Sequence, residues 1–249
     1  MIILKSPREL ALMRRAGRIV ARVLDRFREV VRPGITTAEL EEVALQIIER
    51  EGGIPSFKGY RGYPAAICAS INEEVVHGIP SPKRVLKEGD IVSLDVGAIY
   101  KGYHGDAAIT LPVGAVNEEV QRLLEVTQGA LHAGIAQAHP GNRLGDISAA
   151  IQRYVESRGF NVVREYTGHG IGQEMHEEPQ IPNFGPPNRG PRLRPGMTMA
   201  LEPMVTAGDW RTRTLSDGWT VVTADGSLSA HFEHTIAITD GEPEILTRL

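Results

Sequence analysis

The chain has 249 residues, 41% hydrophobic and 23% charged, with a net charge of −4 and one cysteine. That length buries a full core as one large domain or two small ones; the charge gives no support for DNA or another polyanionic partner; and a lone cysteine excludes an internal disulfide and fits a reducing cytosol. A mean hydropathy of −0.17 and apolar runs such as "AAICASI" exclude a membrane-spanning helix, and the N-terminus has neither the basic start nor the apolar core of a signal peptide.

In chain order, the sequence predicts helices over about 7–30 and 36–52, then strands through "AAICASI" and "VVHGI". The segment "SLDVGAIYKGYHGDAAI", from Ser93 to Ile109, reads as a β-hairpin within about 90–112. Folded about a two-residue turn at Lys101 and Gly102, it sets Tyr100 opposite Tyr103, Ile99 opposite His104, Gly97 opposite Asp106 and Asp95 opposite Ala108. Asp95 and Asp106 then share one face as diagonal neighbours, about 7–8 Å apart. Two close, half-buried negative charges need protons or a cation. The second half predicts helices at about 117–138 and 143–158, a strand near 161–167, a Pro- and Gly-rich surface loop over 179–196, and a second, longer hairpin. No linker separates the halves, so one domain with a shared sheet is expected.

The halves repeat one another. "RPGITTAELEEVALQIIEREGG" from Arg32 aligns without a gap to "HPGNRLGDISAAIQRYVESRGF" from His139, each a turn, an amphipathic helix and a glycine stop. In the same register "LKEGDIVSLD" matches "LRPGMTMALE", which sets Asp95 on Glu202, and beyond the longer second hairpin Asp106 pairs with Glu233. Two hairpins related by a pseudo-twofold bring these four acids to one centre, where they cannot all stay ionised without cations. "TGHGIGQEMHEEP" adds His169, with glycines at 168, 170 and 172 that leave room for a ligand or substrate. Carboxylates with one imidazole suit Mn, Fe, Co or Zn at an open site better than a closed structural zinc, which would use cysteines.

"CASINEEVVHGIP", "LDVGAIYKGYHGD", "GHGIGQEMHEEP", "ALEPM" and "SLSAHFEHT" together resemble the type I methionine aminopeptidases, in their minimal bacterial form, and the likeness covers essentially the whole chain. The resemblance implies an α+β pita-bread fold, with pseudo-twofold duplicated halves at about 10–120 and 121–247 and an antiparallel sheet covered by helices. It implies two divalent metal ions (cobalt, manganese, iron or zinc): Asp95 binds one, Asp106 and Glu233 bridge the pair, and His169 and Glu202 complete the other shell. It implies removal of the N-terminal methionine from nascent proteins, with a small second residue preferred, by hydroxide formed between the metals. His77 and His176 match the family's two non-ligand histidines, which contact substrate and the tetrahedral intermediate. Glu202 also suits a proton shuttle, and the sequence leaves its role as ligand or base open. Tyr60, Tyr63, Cys68 and Trp219, with Phe57 close by, would line the methionine pocket, a lining that suits a flexible thioether. Cys68 is open to two readings, a redox-sensitive pocket thiol or a buried inert one. Many relatives carry phenylalanine at Met175; methionine keeps the pocket apolar and softens it. A cytoplasmic monomer is expected, passing close to the ribosome exit, although no residue marks that contact.

Three other readings rank lower. Aminopeptidases P and prolidases on the same fold usually carry an extra N-terminal domain, whereas the catalytic pattern here begins almost at residue 1. Pita-bread binding modules have lost central acids, and all five ligand positions are filled here. A two-metal phosphoesterase would want basic residues, which the motif segments lack apart from Lys101.

Overall fold

The computed structural model describes residues 1–249. Helix α1 (Pro7–Val30) starts on a reciprocal cap: Ser6 Oγ accepts the Glu9 N–H while the Glu9 carboxylate accepts the Ser6 N–H. Thr36 and Glu39 repeat the device for α2 (Thr37–Arg50). In the second half Asn117 caps α3 (Glu118–Ile135), and the Asp146 carboxylate accepts the Arg143 N–H at the start of α4 (Leu144–Glu156). Each helix buries an apolar stripe; on α1 it includes Met13, Ala16, Val20, Val23, Leu24 and Phe27.

The first acidic hairpin forms in the expected register. Ile91–Tyr100 pairs with Tyr103–Pro112, Gly97 facing Asp106 and Asp95 facing Ala108. Lys101 and Gly102 take φ of +48° and +84°, the left-handed pair that a type I′ turn requires. On its other edge Ile91–Tyr100 pairs with Ile67–Ile71 and Ile54–Pro55. Helix α1 lies against this hairpin at a glycine contact: a Cβ on Gly105 would stand 2.7 Å from Gly17 N, and one on Gly17 would stand 2.2 Å from Leu246 O.

The second hairpin is broken where the first is continuous. Its inner arms, Thr198–Leu201 and His234–Ala237, belong to a five-stranded sheet with Gly168–Gly170, Glu177–Ile181 and Glu244–Ile245. Its outer arms, Met204–Thr206 and Ser229–His231, pair in a separate ladder with Asn161–Val162. Glu202 and Pro203 interrupt one arm, Phe232 and Glu233 the other; Pro203 has no N–H to give a ladder. Between the outer arms the chain forms a small hairpin, Thr212–Thr214 and Val221–Thr223, that reaches back to pair with Glu74–Val76 of the first half.

Three expectations need correction. The strand near 161–167 is only Asn161–Val162, and the next strand begins at Gly168. The loop over 179–196 starts later, because Pro179–Ile181 complete the strand Glu177–Ile181, which pairs with the short strand of His169. The halves also do not share one uninterrupted sheet. They are laced along a seam where Ala108 and Glu233 exchange both backbone hydrogen bonds, at 3.4 and 2.9 Å. Threonine hydroxyls continue the seam: Thr235 Oγ1 bonds both backbone groups of Asp106, and Thr110 Oγ1 both of His231. One apolar core of 44 buried residues, from Ile19 to Ile238, lies beneath both halves. No helix is long and apolar enough to cross a membrane.

Gly105→Ala tests the helix contact, since the added methyl meets α1 backbone that cannot yield like a side chain. We expect a loss of about 1–3 kcal/mol and a Tm lower by several degrees. Gly241→Ala, where nothing lies within 4 Å, should stay within about 0.5 kcal/mol. Equal calorimetric melting points for the two variants would refute the packing argument.

Candidate metal centre and substrate cavity

Asp95 and Asp106 reach the seam from the two strands of the first hairpin, and Glu202 and Glu233 reach it from the interruptions in the second. His169 comes from the five-stranded sheet, on a strand whose glycines permit close approach: a Cβ on Gly168 would meet Ala200 O at 2.4 Å. Its Nδ1 donates to Gly170 O at 2.8 Å, which leaves the Nε2 lone pair outward. That atom faces Glu202 Oε1 at 3.5 Å and Asp106 Oδ2 at 3.8 Å. Ligand atoms of Asp106, His169 and Glu233 lie within 4.8 Å of one another, and so do those of Glu202, His231 and Glu233.

The electrostatics of this centre call for a cation. Burial, then neighbouring carboxylates, pushes Asp106, Glu202 and Glu233 well above the usual carboxylate range, and burial pushes Asp95 up to about 7. Asp95 Oδ1, Asp106 Oδ1 and Glu233 Oε1 are buried with no hydrogen-bond partner, a costly state for a carboxylate. Burial also lowers His169 to about 4, so its imidazole is neutral and able to ligate. Unpartnered acceptors in convergent carboxylates, beside a neutral imidazole with its tautomer fixed, are the donor set a divalent metal takes.

A cavity of about 420 Å³ opens onto these acids. All thirteen residues singled out in the sequence line it: Asp95, Asp106, His169, Glu202, Glu233, His77, His176, Tyr60, Tyr63, Cys68, Trp219, Phe57 and Met175. Phe57, Tyr63, Cys68 and Met175 form one buried apolar cluster, with Tyr60 and Trp219 packed against it. Trp219 arrives on the small hairpin inserted in the second half, and Tyr63 meets its ring edge-on at 5.1 Å. Cys68 stands directly opposite Asp95 in the adjacent strand. Burial, then the Asp95 charge, drives its thiol well above the ordinary range, which favours the inert reading of Cys68.

The two other histidines are held by aromatic rings. His77 follows the strand Glu74–Val76 with φ at +63°, a conformation costly outside glycine, and its ring meets Tyr166 and Trp219 edge-on at 5.8 and 6.4 Å. His176 stacks on Tyr60 at 5.3 Å and sits 4.2 Å from the His169 ring. Its Nδ1 and the Tyr60 hydroxyl lie 2.8 Å apart. Burial first, then the neighbouring His169 ring and Arg61, lowers His176 to about 3.

Residues 11–240 match the sequence pattern of metallopeptidase family M24. The chain belongs to that family. It is 58% identical to methionine aminopeptidase 1 of Bacillus subtilis over the whole of both chains. It is 53% identical to a crystal structure of methionine aminopeptidase from Thermotoga maritima, at a TM-score of 0.99 with full coverage of both. Prolidase from Pyrococcus furiosus superposes at 0.79 with 22% identity, over 99% of this chain and 66% of that one, a likeness of fold alone. The fold is the α+β pita-bread fold.

Residues beyond the expected set also line this M24 cavity. Arg61, Val76, Glu165, Tyr166, Thr167, Gln180 and Met204 contribute to its wall, and His231 stands behind Glu202 and Glu233. Val76, Tyr166, Thr167, Gln180, Met204 and His231 adjoin or lie within the quoted motifs, so proximity in sequence was their available signal. Arg61 and Glu165 carried none.

Metal removal is the direct test of this M24 centre. Protein stripped with a chelator should melt below protein given Mn, Co or Zn, and a metal at 100 times its Kd should add about 2.7 kcal/mol. In chelator, Glu233→Gln should melt at or above the unaltered protein, because one repelling charge is gone; with metal it should melt below. A melting point indifferent to all three cations would sink the assignment.

Proposed function

We propose that the chain is a methionyl aminopeptidase: one catalytic unit, with pseudo-repeats at about 10–120 and 121–247, that hydrolyses the N-terminal methionine from nascent proteins and peptides. The observation that carries this reading is the pairing of Cys68 with Asp95, which sets an apolar pocket one strand from the carboxylates. A methionine side chain between Phe57, Tyr63, Cys68, Met175 and Trp219 brings its free amino group and its carbonyl beside Asp95, Asp106 and Glu233. Only the first residue of a chain carries both groups, so cleavage is confined to the N-terminal residue. The rings of His77, Tyr166 and His176 occupy the adjoining wall, which favours a small second residue.

Asp95, Asp106, His169, Glu202 and Glu233 would hold two divalent cations. Such a pair, when bound, lowers the pKa of water and polarises the scissile carbonyl. Glu202 takes the proton from the attacking water and returns it to the leaving amide nitrogen. The Tyr60 hydroxyl donates to His176 Nδ1 and keeps the ring proton on Nε2, so a neutral His176 donates to the carbonyl oxygen as it gains charge. His77, confined between Tyr166 and Trp219, orients the substrate backbone beside it.

Chelator-stripped protein offered Met-Ala, Met-Leu and Ala-Pro peptides, with and without Mn, Co, Fe(II) or Zn, tests the reading by mass spectrometry. Loss of methionine from Met-Ala, only with metal, is expected. Cleavage of Ala-Pro would move the chain to the prolidase reading, and no cleavage under any metal would refute a peptidase. Asp106→Ala should abolish activity in a folded protein. His176→Ala should lower kcat about 10²–10⁴-fold with metal content unchanged; a variant emptied of metal would contradict its role.

A further inference from the structure

His231 is the one imidazole at this centre without an assigned task. It is 1% exposed, and its Nε2 is buried with no hydrogen-bond partner. That atom faces two carboxylates at once, Glu202 Oε2 and Glu233 Oε2, each at 3.8 Å. Glu202 therefore stands between two imidazoles: Oε1 looks toward His169 and Oε2 toward His231. The backbone of His231 is pinned from both sides, by Thr110 Oγ1 across the seam and by Met204 in its own ladder. The ring is thus delivered to this point by the fold.

The two imidazoles are prepared differently. His169 gives its Nδ1 proton to Gly170 O, which commits Nε2 to being an acceptor and hence a ligand. Nothing commits His231 in that way, and its Nε2 faces only Glu202 and Glu233, which are acceptors once a cation holds them ionised. A neutral ring minimises its free energy there by placing its proton on Nε2, toward the carboxylate oxygens. At 3.8 Å neither contact is yet a hydrogen bond; such contacts commonly tighten when a site is loaded. A carboxylate that gives one oxygen to a cation needs a donor for the other, and such donors orient the ligand and raise metal affinity.

We propose that His231 is a positioning residue of the metal centre: its Nε2–H donates to Glu202 and Glu233 and holds both carboxylates in ligating orientation, without itself binding metal. This rests on the metal-centre reading above. It extends the set of residues that make the site beyond the five ligands and assigns Glu202 a fixed orientation from which to move protons.

Zinc-loaded protein carrying ¹⁵N-labelled histidine tests the assignment without mutation. His231 Nε2 should show a directly bonded, slowly exchanging proton, while His169 Nε2 should shift as a metal-bound nitrogen. An unprotonated His231 Nε2 would overturn the proposal, and a metal-shifted one would make His231 a sixth ligand instead. Manganese binding by calorimetry gives a second readout, with melting in chelator as the folding control. His231→Leu should weaken affinity about 10–100-fold, and His231→Gln, which keeps a donor, should stay within about threefold. Wild-type affinity in His231→Leu, or equal weakness in His231→Gln, overturns the donor role. Unaltered protein that binds no manganese overturns the metal centre itself, a result distinct from any difference between variants. If His231→Leu does not fold, the nitrogen signal of the unaltered protein decides.

Discussion

Mutual repulsion among four carboxylates is the constraint that organises this molecule. Asp95, Asp106, Glu202 and Glu233 meet where water is scarce, and burial raises all four toward the protonated form. Left alone, that arrangement opposes folding; with cations, it is a binding site whose occupancy stabilises the fold. The seam between the halves holds the acids against their repulsion. Ala108 and Glu233 bond backbone to backbone, and Thr110 and Thr235 close the flanks. The apolar core beneath both halves supplies the hydrophobic stabilisation that makes such a polar centre tolerable.

The two hairpins solve the same problem by different routes. In the first, an unbroken ladder puts Asp95 and Asp106 on one face by the period of two alone. In the second, the ladder is interrupted on both arms, and Glu202 and Glu233 project from the interruptions. Pro203 is the local cause on one arm. The interruption also redirects the outer arms, and the small hairpin between them closes on the first half and delivers Trp219 to the cavity beside His77. The duplicated element thus became asymmetric where the substrate has to be gripped.

Much of the site was legible because the residues that carry chemistry are ones that local physics disfavours. Aspartates in a hairpin face, glycines bracketing a histidine, and acids recurring at one register in both halves each stand out against the surrounding pattern. The first hairpin was readable to the residue, since Lys101 and Gly102 allow only a tight turn and the pleat does the rest. Arg61 and Glu165 were not legible, because an ordinary charged residue in a loop carries no period, and only the folded cavity shows that it faces inward. His231 was visible within "SLSAHFEHT" and yet uninterpretable. Nothing local distinguishes a histidine that ligates from one that orients a ligand.

By itself, then, the sequence determined the four helices, the first hairpin and the turn that sets its register, because these depend on neighbours a few residues apart, and the repeat between its halves marked the acids that meet. Tertiary structure alone decided that the halves are laced at a seam and do not form one sheet, because strand edges compete for partners across the whole chain. It decided that Glu202 faces one imidazole with each oxygen, and that Cys68 is a buried part of the pocket wall. Those properties depend on what surrounds an atom in space, and burial and charge at a point are sums over groups far apart in sequence.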